Sequence, residues 1–202
     1  MMRTLLLVLT MLIASPLLAE TDPVKVIEST NAELAALINE NRERYREDAP
    51  SLRQDIKNVL MPTIDTVYSA RLVLGRHGRG RERSEIEAFA EALANQLLDR
   101  YATALLDYNL LERVEILPLT GDNTERATRV RTRVQLDNGD RAPVDYVLRQ
   151  TDEGWKVFDV IVEGISYVAT FRSQIDQEIR QTSFESLLER LEAGQYQVEV
   201  DD

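Results

Sequence analysis

Cysteine is absent from this 202-residue chain, histidine occurs once, and glycine (eight) and proline (six) are sparse. Without thiols there is no disulfide framework, no thiolate nucleophile and no cysteine-bound zinc. A lone imidazole also removes the paired-histidine spacing of metalloproteases. So few glycines and prolines exclude a collagen or a low-complexity tail, and neither GxxxxGK nor GxGxxG is present to cradle a phosphate. Beyond the first twenty residues no run approaches the ~20 continuous apolar residues that a membrane helix needs.

What is present fits one compact unit, with 44% apolar and 29% charged residues. The apolar stretch Leu5 to Ala14 follows Arg3 and closes on Pro16, Leu17, Leu18 and Ala19, the pattern of a secretory signal peptide. Residues 1–19 are therefore expected to be removed, leaving 20–202 as a single exported domain. No cysteine follows the apolar run, so a lipid anchor has no attachment residue. Twenty-four basic against 35 acidic residues give −11, and loss of Arg3 with the leader makes −12. That charge disfavours nucleic acid as a partner and nonspecific adhesion to an anionic bilayer.

Asp22-Pro23 opens a helical pattern through Ile27, Asn31, Leu34, Leu37/Ile38 and Tyr45, halted at Ala49-Pro50. A shorter helix through Ile56, Val59 and Leu60 runs to Pro62, and Ile64, Val67, Tyr68, Leu72 and Val73 continue the apolar surface to Gly75. The run Arg76 to Arg83 has no apolar residue and reads as a surface loop holding the solvent-facing His77. Ser84 with Glu87 forms a capping box for a long helix. Its stripe runs Ile86, Phe89, Leu93, Leu97, Tyr101, Leu105, Tyr108 and Leu111, wide enough to lie across a sheet or line an internal space.

From Glu112 the period changes to two, predicting strands at 112–119, 125–136, 142–150 and 154–162 joined by short links, an antiparallel meander. Val130, Thr132, Val134 and Leu136 take one face of the second strand, and Arg129, Arg131 and Arg133 the other. In the fourth, Asp159 is expected to share a face with Trp155, Val157 and Ile161. Two helices close the chain, with Val168, Phe171, Ile175 and Ile179, then Phe184, Leu187, Leu188 and Leu191. The expected fold is α+β: a four-stranded curved antiparallel sheet against a long helix and further N- and C-terminal helices, enclosing an apolar pocket.

Nothing here assembles a catalytic constellation, so the chain reads as a non-enzyme with no cofactor. His77 has no serine or cysteine placed beside it in sequence. Asp159 must find a donor if buried, either an arginine or backbone amides, and Arg172 is a plausible partner. Arg71, Arg76, Arg79, Arg81 and Arg83 crowd one stretch of an acidic protein, either a solvated loop balanced by Glu82 and Glu85 or a contact for phosphate head groups or an acidic partner.

The run GWKVFDVIVEGISYVATFRSQID, Gly154 to Asp176, closely resembles the signature segment of the MlaC-like periplasmic phospholipid-shuttle proteins, also called toluene-tolerance auxiliary proteins. Ser69-Ala70-Arg71-Leu72-Val73-Leu74-Gly75, the helix with Phe89 and Tyr101, and the closing Phe184 to Leu191 helix fall in the family's order. Gly78 stands where the family usually carries a tryptophan, and the long helix lacks the usual Thr/Gln-rich lead-in. The resemblance implies a monomeric carrier with a bound phospholipid as ligand. Its implied partners are an outer-membrane lipoprotein/porin complex and an inner-membrane ABC transporter complex, in a system that maintains outer-membrane lipid asymmetry.

Roughly thirty methylenes in two acyl chains, at about 0.8 kcal/mol each, give a gross drive near 24 kcal/mol out of water. The carrier's pocket should therefore be apolar, contiguous and deformable. Wall candidates are Phe89, Leu93, Leu97, Tyr101 and Leu105 on the helix, and Val130, Val134, Tyr146, Val147, Leu148 and Val160 on the sheet. Tyr167 and Phe171 join them after the turn, with Arg71 or Arg172 near a head group. Ordinary core packing explains each of these positions as well, and another apolar ligand, a sterol-like molecule or a quinone, suits the same architecture.

Overall fold

The computed structural model describes residues 22–107, 113–121, 123–136 and 138–199. Three helices come first: α1 (Pro23–Glu47), α2 (Ala49–Leu60) and α3 (Thr66–Leu74). Each starts where a carboxylate accepts a free amide of the first turn, Asp22 from Val24, Asp48 from Ser51 and Asp65 from Tyr68. Next come α4 (Arg83–Tyr101) and the short α5 (Ala104–Asp107). The strands β1 (Val114–Ile116), β2 (Ala127–Gln135), β3 (Arg141–Thr151), β4 (Gly154–Val162) and β5 (Ile165–Ser166) follow. Finally α6 (Tyr167–Gln181) and α7 (Phe184–Glu192) start on the hydroxyl caps Ser166 and Ser183.

The sheet is a curved antiparallel meander in the order β1-β2-β3-β4-β5, an α+β arrangement with long helices packed against it. All four expected strands are there, and the two-residue β5 adds a fifth. It exists because Glu163 (φ 51°) and Gly164 (φ 87°) both take the left-handed conformation, which a two-residue hairpin turn requires. Among the described residues no helix is long and apolar enough to cross a membrane.

Side-chain packing divides the interior into three apolar clusters. One joins α3, α4, α6 and α7 through Val73, Leu74, Phe89, Phe171, Ile175 and Leu187. A second joins α1 and α2 to the end of α4 and to α5 through Ile38, Tyr45, Leu52, Ile56, Ala102 and Leu106. In the third, Val26 and Ile27 of α1 lie on Val130, Leu148, Trp155 and Val157 of the sheet.

Several expectations are corrected. The capping box sits two residues earlier, where Glu82 caps α4 and its amide donates to Glu85 at 2.8 Å. Ser84 then falls inside the first turn, and Glu87 pairs with Arg83 at 2.6 Å. The long helix is not continuous, because a turn at Ala102 and Thr103 separates α4 from α5. Its expected extension through Tyr108 and Leu111 lies outside the described residues. Nor does α4 rest on the strands, its main neighbours being α3, α7 and α2.

The fourth strand changes face midway. Val147 pairs with Asp159 while Leu148 pairs with Val157, so Phe158 is an extra, bulged residue. Trp155 and Val157 therefore share a face with Val160 and Val162, and Asp159 is turned to the other side with Ile161. The basic loop is not free in solvent either. Arg81 lies 3.5 Å over the Phe184 ring and bonds Glu85 and Glu185. His77 is half-buried, its Nε2 2.7 Å from Asp176 Oδ1.

Candidate functional site

An apolar cavity of about 500 Å³ opens where the three clusters meet without merging. The volume is that of a small-molecule site. Its α4 and α5 wall is Leu93, Leu97, Leu98, Tyr101 and Leu105. Ile56, Leu60, Met61 and Ile64 come from α2 and the turn after it, Ala70 from α3, and Val160 and Tyr167 from the sheet and α6. Polar groups are nearly absent: Ser69 Oγ, on the wall, is occupied by the carbonyls of Asp65 and Phe158 at 2.9 and 2.8 Å.

The cavity has a closed end and an open one. Ile56, Ala70 and Leu93 are buried, whereas Tyr101 is 38% exposed and marks the mouth, with the Arg100 guanidinium 5.6 Å from its ring centre. The α4 stripe thus changes character along its length. Phe89 is fully buried against Phe184 (ring centres 6.2 Å apart), while two turns on Leu97 faces open space.

Of the thirteen apolar positions expected to form a wall, six stand together in this cavity: Leu93, Leu97, Tyr101, Leu105, Val160 and Tyr167. The other seven lie elsewhere. Phe89 and Phe171 are in the helical cluster, and Val130 and Leu148 are in the sheet cluster with Tyr146 packed beside them. Burial pushes the Tyr146 phenol above its ordinary range. Val134 is on the correct face but beside β1, across from Val114. Val147 is on the outer face opposite Arg129, because neighbouring residues of a strand cannot all point inward.

The polar candidates separate as well. Asp159 accepts from Ser166 Oγ at 2.6 Å and from the Val168 amide at 3.1 Å, so it holds the start of α6 and does not pair with Arg172. Arg172 lies against Gly75, where a β-carbon would come within 2.8 Å of its Nε, and it borders a separate hollow with Arg76 and Ser173. Arg71 is exposed on α3, and neither arginine lines the apolar cavity.

Some lining residues carried a signal that the stripe reading passed over. Ala90 and Ala94 recur at helical spacing beside Leu97 and Leu98, and small side chains leave room where a core would fill it. Met61, beside a proline, gave no periodic signal, and Ile64 read only as part of an apolar surface running to Gly75. A larger hollow of about 600 Å³ beside the C-terminal segment is lined by Glu91, Asn95, Gln96, Asp99 and Arg100, and offers little to hydrocarbon. Among the described residues no group of three or more His, Asp or Glu could hold a metal ion.

The structure is an α+β fold with a curved antiparallel sheet, long helices and an apolar cavity open at one end. Residues 28–193 match the family model described as MlaC protein, and the chain belongs to that family. It is 31% identical over 169 residues to the toluene tolerance protein ttg2D of Pseudomonas putida, covering 82% of this chain and 78% of that one. To the intermembrane phospholipid transport system binding protein MlaC of Haemophilus influenzae it is 27% identical over 160 residues, 77% and 73% of the two chains. A solved phospholipid-binding protein from Ralstonia solanacearum, in complex with a phospholipid, has the same fold at a TM-score of 0.76 and 19% identity, over 86% of this chain and 96% of that one.

Proposed function

We infer that this protein is a periplasmic carrier that holds the acyl chains of a diacyl phospholipid and moves it between outer- and inner-membrane complexes, maintaining outer-membrane lipid asymmetry. The observation that carries the reading is the apolar cavity with Tyr101 at its mouth. An aqueous gap opposes transfer of a free lipid by the full hydration cost of its tails. A protein that covers the tails and leaves the head group outside lowers that barrier, and no bond need be made or broken. Residues 1–19 act as the export signal and 20–202 as one lipid-binding domain. The names of the relatives in Pseudomonas and Haemophilus support this assignment.

The test is extraction of the gently purified protein with organic solvent followed by mass spectrometry. Glycerophospholipid at near one-to-one ratio is expected. Its absence, or a quinone or sterol-like molecule in its place, overturns the reading. Leu97→Trp should lower lipid occupancy with secondary structure unchanged, since an indole there enters the space meant for a tail.

A further inference from the structure

We propose that the outer face of the sheet is a docking surface for an acidic segment of a partner protein. On β1 to β3 this face carries five guanidinium groups, Arg129, Arg131, Arg133, Arg141 and Arg149, against Glu115 and Asp145 on the strands and Asp65 at the start of α3, which pairs with Arg149 at 3.0 Å. The whole chain is at −11, so the excess of positive charge here is local. Of 24 basic residues only Lys25, Lys57 and Lys156 are lysine, and the row itself is all arginine, the side chain that pairs carboxylates with a planar fork and is enriched at interfaces.

The row is built rather than merely solvated. Asp145 is buried beneath it and takes Nε of Arg129 at 2.8 Å and Nη2 at 2.6 Å, with Arg133 3.8 Å away. Arg131 is drawn across to Thr120, whose hydroxyl and carbonyl accept from one guanidinium nitrogen at 2.6 and 3.2 Å. That anchor is neutral, and Asp145, opposite Arg131 in the ladder, is already engaged by Arg129. Guanidinium groups held this way lose little side-chain freedom when a carboxylate arrives.

Orientation and charge favour a protein over a bilayer. Val160 reaches the cavity from one face of the sheet, and the arginines occupy the other, so a lipid whose tails fill the cavity does not place its head group on them. An anionic membrane repels the chain as a whole, whereas a short acidic segment meets only the patch.

The probe is a fluorescent oligoglutamate peptide, followed by anisotropy at low ionic strength, against the wild type and the double variant Arg131→Glu, Arg141→Glu. Arg131 stands opposite Asp145 in the ladder without an ion pair to it, and Arg141 pairs with the exposed Glu115, so folding of the variant is checked by circular dichroism and lipid content. We expect salt-sensitive binding to the wild type and at least about a tenfold loss in the variant. As a reading that needs no variant, the peptide should shift the backbone amide resonances of residues 129–133 in the wild type. No peptide binding, equal binding to both forms, or resonance shifts confined to other elements would overturn the proposal. So would Arg131-dependent flotation with vesicles of phosphatidylethanolamine and phosphatidylglycerol without peptide binding. An Arg131-dependent dimer in light scattering would assign the face to a second copy and overturn it too.

Discussion

The two halves of α4 carry the same repeat of apolar side chains and meet different fates. In the first half Ile86 and Phe89 sink into a closed cluster with α3, α6 and α7. In the second, Leu97, Leu98, Tyr101 and, past the turn, Leu105 border open space. The difference lies in the partners. Phe184 and Leu187 arrive from α7 to fill the first contact, while the second faces Val160, Met61 and Ile64, which stand off from it. An amphipathic stripe specifies that a face is dry, without specifying whether protein or ligand keeps it so.

Substitutions along the helix can break that comparison. Phe89→Ala should have the largest effect, a loss of about 3–5 kcal/mol in denaturant unfolding, because the void is lined by packed side chains that cannot collapse into it. Leu97→Ala removes a comparable aliphatic group from a wall that already faces space and should cost less than about 1.5 kcal/mol. Equal costs at the two sites would mean the second half is core like the first.

Asp159 holds the start of α6, next to Tyr167 on the cavity wall. Asp159→Ala should cost about 1 kcal/mol, the usual worth of a helix cap, and should loosen lipid retention before it unfolds the protein. Ala94→Leu sharpens the contrast from the other side. It should leave stability within about 0.5 kcal/mol and reduce bound lipid, since the added atoms enter the cavity.

The smallest effect expected is in acid. The Asp176 carboxyl is held below its ordinary range by the hydrogen bond from His77, with Arg180 and Arg76 adding attraction against a burial cost. A carboxyl with a lowered native pKa contributes stability above the ordinary carboxylate range and loses it as pH falls through the lowered value. Asp176→Asn should therefore lower the neutral plateau slightly and leave stability at the acid end nearly unchanged, which flattens the acid limb of the profile.

Most helix and strand positions were legible because they depend on local pattern. The period of 3.6 that runs Ile27, Leu34, Ile38 and Tyr45, and the period of two in β2, report burial on one side wherever they occur. The end of α4 was not legible, because Leu105 continues the stripe past the turn at Ala102 and Thr103. The bulge at Phe158 was hidden for a related reason: alternation counts residues, and a bulge adds one without a compositional mark. Reading Asp159 onto the face of Trp155 followed directly from that count. For Arg81 and His77 the local composition pointed to solvent, and only contacts with Phe184 and Asp176, about a hundred residues further on, bring them into the fold.

The amino-acid order alone determined the acidic balance and the succession of helices, strands and helices, since each rests on composition or on neighbours within a few residues. The tertiary structure decided which apolar side chains close on one another and which surround a cavity. It also turned the arginines of β2 and β3 into a single basic face. Both outcomes depend on distances between elements far apart in the chain, which no local periodicity encodes.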